Sequence, residues 1–231
     1  MDGLFDRNQD FDQTVVRNIV SLRESQPLFA DLVDTAEEHD VLIAAEMRIK
    51  SDSAPGIIAR GFHYTTAIEY PFKTEHFMAS RYGDGSYPVW YGSLDLATTI
   101  YETAWHMRSE LLCIEGLDEV VVRERAIYHI ECRALLIDLS AKAANYPGLI
   151  DNDYSFTQQV GRRVQGEGHP GLLAPSARKS DGINSVIFRE DVLSNPRFQC
   201  SLTYFYNPAD SQIKIERTPG TTLMTIYSSS S

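Results

Sequence analysis

ASRYGDGSYPVWYGSLDLATTIYETAWHM, residues 79–107, passes through turn, strand and helix chemistry in immediate succession. In RYGDGSYP, Gly83 and Gly85 allow positive φ and a close approach of backbone to a ligand. Arg81, beside them, carries a planar fork suited to phosphate oxygens. The same segment also reads as an ordinary hairpin connection with a solvated arginine. Pro88–Ser93 (PVWYGS) predicts a short strand, and Leu94–Glu110 a helix. Asp95 is placed to cap that helix, and Ala97, Ile100, Tyr101, Ala104 and Trp105 give it an apolar face at helical spacing.

Working outward, strand and helix signals do not alternate regularly. Glu119–Val122 and Ile127–Leu139 predict strands, the second ending in ALLIDL. Phe156–Gln165 predicts a helix running into the loop GEGHPG, and Ser185–Arg189, Gln199–Tyr206 and Ile213–Glu216 predict further strands. An excess of strands in this order implies an α+β fold rather than a doubly wound α/β one. Upstream, Phe11, Val15, Ile19 and Leu22, then Leu28, Leu32 and Val33, then Leu42 and Ile43, predict two or three amphipathic helices, with Pro27 between the first two. The turn-rich SDSAPG, residues 51–56, marks the best boundary. It separates a helical N-terminal extension, 1–55, from the remainder, 56–231. The final TIYSSSS is expected to be a disordered tail.

With 231 residues, 43% of them hydrophobic, the chain can bury one sizeable core. Cys113, Cys132 and Cys200 lie far apart in apolar surroundings and read as buried thiols in a reducing compartment. No apolar run of about 18 residues predicts a membrane span, and the acidic start MDGLFDRNQD is unlike a signal peptide; a cytoplasmic location is expected. A net charge of −11 repels polyphosphate at long range and argues against a nucleic-acid reader. It leaves room for a small anion held by a few local arginines.

Glu102 sits among Ile100, Tyr101, Thr103, Ala104 and Trp105, so its helix is packed on at least one side. By itself it reads as a surface carboxylate beside the apolar stripe, since burial without a partner is costly. In GLLAPSARKSDGINSVIF, residues 171–188, Ser176 precedes Arg178, and Gly182 and Asn184 enter a strand. There is no G-x-S-x-G elbow, so Ser176 is no hydrolase nucleophile; it reads as an ordinary loop serine or a hydrogen-bonding pocket wall. His106 lies one turn after Glu102, yet no E-x-x-H motif completes a metal site, and His63, His76 and His169 are scattered. No metal is expected.

These stretches together resemble the RES domain, named for its Arg, Glu and Ser, the toxin component of RES–Xre toxin–antitoxin pairs in bacteria. The likeness covers about residues 60–188 and keeps the family's order: Arg in a turn, strand Tyr, helical Glu, then P-S-A-R followed by Gly and Asn. It implies a core similar to ADP-ribosyltransferases, of mixed, largely antiparallel sheets with flanking helices. It also implies an activity that consumes NAD as substrate, with no separate cofactor. By the resemblance, Arg81, Glu102 and Ser176 are the catalytic candidates. Arg60, Arg81, Tyr82, Tyr91, Ser176, Arg178 and Asn184 are the NAD-binding ones. The implied partner is an Xre-type antitoxin with a helix-turn-helix, and an acidic chain favours a basic partner. Hydrolysis or phosphorolysis of NAD is the expected reaction, with protein ADP-ribosylation, or a noncatalytic binding role, as alternatives. The long leader before Arg60 departs from a minimal RES toxin and leaves homo-oligomerisation open.

Overall fold

A computed structural model of the chain describes residues 3–21 and 65–227. The fold is α+β, with ten strands and two α-helices among the described residues. In chain order these are β1 (Asn8–Val20), β2 (Ala79–Ser80), β3 (Gly83–Asp84), β4 (Trp90–Ser93) and α1 (Leu96–Leu111), followed by β5 (Val121–Asp138) and α2 (Ser155–Gly166). Then come β6 (Gly171–Pro175), β7 (Ile183–Ile187), β8 (Leu193–Asn207), β9 (Gln212–Thr218) and β10 (Thr221–Ile226). Short helical turns occupy Thr65–Glu69, Tyr70–Phe72 and Thr74–His76.

Eight strands form one sheet in the order β1-β4-β7-β6-β5-β8-β9-β10, and β1 also pairs with β5. That extra pairing closes β1, β4, β7, β6 and β5 into a ring, from which β8, β9 and β10 extend as an open wing. All pairings are antiparallel except β5 with β6. The small β2–β3 hairpin stands apart from the large sheet. Closure removes two exposed edges that would otherwise present unpaired backbone groups.

Around Ala126, Ile127 and Tyr128, β5 is buried on both faces. Ala126, Tyr128, Ile130 and Cys132 share one cluster with Phe11, Val15, Trp90, Leu173 and Ile187. Ile127 belongs to another, with Ile100, Ala104, Met107 and Leu111 of α1 and Leu202, Tyr204 and Ile215 of the wing. A third cluster sets Val160 and Val164 of α2 against Tyr82, Tyr87, Leu139 and Leu172. Each helix therefore rests on a different part of the sheet, and each fully buried aliphatic side chain contributes roughly 1.5–3 kcal/mol.

Several expectations need correction. Residues 8–20 are a strand, not a helix, in unbroken register with β5 from Asn8↔Ile137 to Val20↔Arg125. Leu22, Leu28, Leu32, Val33, Leu42 and Ile43, the 51–56 turn, Arg60 and His63 lie outside the described residues. The two strands expected over 119–139 are one, because the polar run between them is satisfied in place. Arg123 pairs with Glu110, Glu124 accepts from Thr203, and Arg125 donates to Asn18. Thr225 and Ile226 belong to β10 rather than to a tail. Cys132 and Cys200 are buried, whereas Cys113 is exposed, and all three are free thiols.

Candidate active site

The site is assembled where the helix after β4 meets the loop between β6 and β7. Asp95, extended at φ −141°, caps α1: its carboxylate accepts from the Thr98 backbone N–H at 2.8 Å and the Thr98 hydroxyl at 2.6 Å. Ile100, Ala104, Met107 and Leu111 commit one side of α1 to the core, which turns Glu102 and Trp105 toward the β6–β7 loop.

Glu102 Oε1 accepts from Ser176 Oγ at 2.6 Å and from Asn184 Nδ2 at 2.8 Å. Both donors are themselves oriented. The Ser176 oxygen receives the backbone N–H groups of Arg178 and Lys179, each at 3.1 Å, so its single proton is left for the carboxylate. Asn184 Oδ1 accepts from Ser93 Oγ at 2.6 Å, which fixes the amide with its NH₂ toward Glu102. Ser93 and Asn184 are register partners on β4 and β7. Glu102 Oε2 receives no hydrogen bond among the described residues, so one oxygen is immobilised and the other is presented.

Gly182 permits this close meeting. A Cβ there would stand 2.8 Å from Thr98 Oγ1 and 2.9 Å from the Ser176 Cβ. Gly182→Ala is expected to push the first turn of α1 away from the β6–β7 loop and cost about 1–3 kcal/mol. The melting temperature should fall by roughly 2–4 °C per kcal/mol. Thermal unfolding checks this, and an unchanged transition would mean that the contact is slack.

Arg178 interacts electrostatically with Glu102 and with Arg81. Arg81, at the tip of the β2–β3 hairpin, donates from Nη1 to the Asp151 carbonyl at 2.5 Å and more weakly to Leu149 at 3.4 Å. Its guanidinium lies 4.6 Å over the Tyr154 ring. Arg178 lies 3.5 Å over the Trp105 ring. Desolvation lowers the Arg178 pKa, and the Arg81 charge lowers it further, with Glu102 and Tyr154 acting in the opposite sense. Arg81 Nη2 and Arg178 Nε and Nη2 are buried with no hydrogen-bond partner among the described residues. Buried donors left open cost on the order of 1–3 kcal/mol each, a cost that an anionic ligand would offset.

Tyr91 and Tyr82 line the same region. The Tyr91 hydroxyl accepts from the Tyr82 backbone N–H at 2.9 Å and shares a hydrogen bond with Ser80 Oγ at 2.9 Å. Burial pushes its pKa up, and burial does the same for Tyr82. The Tyr82 hydroxyl is buried and unpaired among the described residues. The structure thus joins Glu102, Ser176 and Asn184 directly and places Arg178, Arg81, Tyr82 and Tyr91 around them; Arg60 is outside the described residues. Trp105 and Tyr154 are further members. Trp105 reads in sequence only as part of the apolar stripe, and Tyr154 has no local signal at all. Ser93, next to a predicted strand end, is equally silent. Among the described residues no group of three or more His, Cys, Asp or Glu could hold a metal ion. No helix among them is long and apolar enough to cross a membrane.

The family model described as "RES domain" matches residues 47–207. No curated protein matches the sequence. Among solved structures, a chain of the crystal structure of the M. tuberculosis MbcT–MbcA toxin–antitoxin complex is similar, at 13% identity and a TM-score of 0.46, covering 87% of this chain and 88% of that one.

Proposed function

The chain belongs to the RES domain family, and from that membership we propose that it is an NAD-consuming enzyme that breaks the nicotinamide–ribose bond and serves as the toxin of a toxin–antitoxin pair. The observation that carries this reading is the Glu102 carboxylate, clamped through one oxygen by Ser176 and Asn184 and without a hydrogen bond at the other, in electrostatic reach of Arg178, which like Arg81 has buried, unused donors.

Nicotinamide departs as a neutral leaving group while C1′ of the ribose gains oxocarbenium character, so the site must stabilise developing positive charge. A carboxylate already oriented by two hydrogen bonds does this without reorganising, as glycosidase carboxylates do. In this reading Glu102 Oε2 faces the ribose and aligns the attacking water or phosphate. Arg81 and Arg178 take the pyrophosphate with their unpaired nitrogens. Tyr91, whose hydroxyl is engaged by Tyr82 and Ser80, offers its ring to the nicotinamide end. Ser176, whose proton points to Glu102, holds the carboxylate rather than the nicotinamide. An Xre-type antitoxin covering the cleft in the bacterial cytoplasm would restrain such an enzyme.

The test is incubation of the purified protein with NAD, with and without inorganic phosphate, followed by product separation. Free nicotinamide with ADP-ribose indicates hydrolysis, and a phosphate-dependent nucleotide product indicates phosphorolysis. Label retained on protein indicates transfer. An NAD pool that survives every condition would sink the reading.

A further inference from the structure

β1 lies outside the region matched by the family model, yet it reaches the candidate site. Its ladder with β4 has one register pair, Val16↔Ser93. Beyond that point a side chain replaces the backbone donor: Arg17 Nη1 hydrogen-bonds the Tyr91 carbonyl. The same guanidinium lies 4.9 Å over the Trp90 ring. Trp90 is fully buried and its indole N–H is tied to the Ala67 carbonyl at 2.8 Å. At Gly92, a Cβ would stand 2.7 Å from the Trp90 ring. The backbone on both sides of Tyr91 is therefore confined, and Arg17 holds the carbonyl between.

We infer that Arg17 is a positioning residue for Tyr91, gripping its backbone carbonyl so that the ring is set for the nicotinamide end of the substrate; this rests on the NAD reading above. The Tyr91 carbonyl is the hydrogen-bond partner that Arg17 has among the described residues. Arg17 makes no ion pair with a carboxylate among the described residues, and its Nε is buried without a hydrogen-bond partner among them. Burial and the neighbouring Arg125 charge lower its pKa to about 10.

Arg17→Met removes the donor to the Tyr91 carbonyl and the cation over Trp90, so the melting temperature is expected to fall, and kcat/KM for NAD, measured where the variant is folded, should fall roughly tenfold or more, as small misplacements of a substrate-contacting group do. In a Tyr91→Leu background the same substitution should cost less than about twofold, since the group being positioned is gone. Arg17→Lys, which keeps a donor but not the fork, should recover part of the loss. Equal losses in both backgrounds, or a lowered melting temperature with wild-type kcat/KM, would overturn the inference.

A second measurement does not depend on catalysis. The sequence contains two Tyr-Gly steps, Tyr82-Gly83 and Tyr91-Gly92. Labelling tyrosine carbonyls with ¹³C and glycine amides with ¹⁵N therefore yields two carbonyl–amide cross-peaks. Arg17→Met should move the Tyr91-Gly92 peak, and the Tyr82-Gly83 peak should follow as far as the ring shifts, because the Tyr91 hydroxyl accepts from the Tyr82 N–H. If wild-type protein fails to consume NAD, the functional reading falls while this readout still decides the grip on Tyr91; an unmoved Tyr91-Gly92 peak overturns the grip whatever the enzyme does. Should Arg17→Met not fold, Arg17→Lys carries both readouts. An intact melting temperature with reduced kcat/KM and a moved peak then supports the inference, and full activity overturns it.

Discussion

Glu102→Gln is expected to lower NAD cleavage by about two to three orders of magnitude, the range seen when a preorganised electrostatic group at a reacting centre is removed, with the melting temperature nearly unchanged. Glutamine keeps an oxygen where Oε1 stands, so Ser176 Oγ and Asn184 Nδ2 can both still donate to it. Those two hydrogen bonds force the amide to place its NH₂ at the open position. The group facing the ribose then changes from a carboxylate oxygen to a pair of donors with partial positive charge, opposite in sign to what an oxocarbenium requires. Shape and packing persist while the charge complementarity inverts. Nicotinamide release by the purified variant, followed at saturating and subsaturating NAD, measures this. A variant that consumes NAD at the wild-type rate would remove Glu102 from the chemistry.

Gly161→Ala should disturb the fold more severely than Gly182→Ala, and it does so around Arg81. A Cβ at Gly161 would lie 1.9 Å from the Tyr82 carbonyl oxygen and 3.0 Å from the Tyr87 hydroxyl. That carbonyl already accepts the Tyr87 hydroxyl at 2.8 Å. The neighbouring hairpin backbone is held by Gln158, which donates to the Ser80 and Gly83 carbonyls. Because the obstacle is backbone, relief requires the β2–β3 hairpin or α2 to move. Alanine in place of a helical glycine ordinarily stabilises by about 1 kcal/mol; here a loss of roughly 3 kcal/mol, at the top of the usual overpacking range, is expected. NAD cleavage should fall with it, since Arg81 rides on the displaced turn. Gly166→Ala, in the same helix with nothing within 4 Å of the added carbon, is the control and should be neutral or stabilising. A melting temperature for Gly161→Ala at or above wild type would contradict the packing described.

The sequence is most transparent where local chemistry and tertiary role agree. Asp95 caps α1 and the apolar stripe marks the buried side of that helix, both readable from spacing. β1 misleads for a definable reason. Phe11, Val15 and Ile19 are four residues apart, and four is both nearly one helical turn and an even number of strand steps, so the spacing puts them on one face in either conformation. The β-branched run Thr14, Val15, Val16 is the signal that favours a strand. β5 misleads differently: Arg123, Glu124 and Arg125 interrupt the strand signal, and their partners Glu110, Thr203 and Asn18 are distant in sequence. The order of Arg81, Tyr91, Glu102 and Ser176 is readable as a family pattern. The direct contact of Glu102 with Ser176 and Asn184 joins residues 74 and 82 positions apart, and no local pattern reports that. Tyr154 under Arg81 and Arg17 behind Tyr91 are likewise invisible until the chain is folded.

The closed ring also has a consequence for the order in which a ribosome delivers the pieces. β1 is made first, but its in-register partner β5 does not emerge until more than a hundred residues later, and β6 and β7, which complete the circle through β4, follow last. Pairings so distant in sequence form late and slowly. Glu102 is synthesised well before the serine and asparagine that orient it. A nascent or prematurely terminated chain ending before Ser176 carries the carboxylate but neither group of its clamp, so the site can be completed only late in translation.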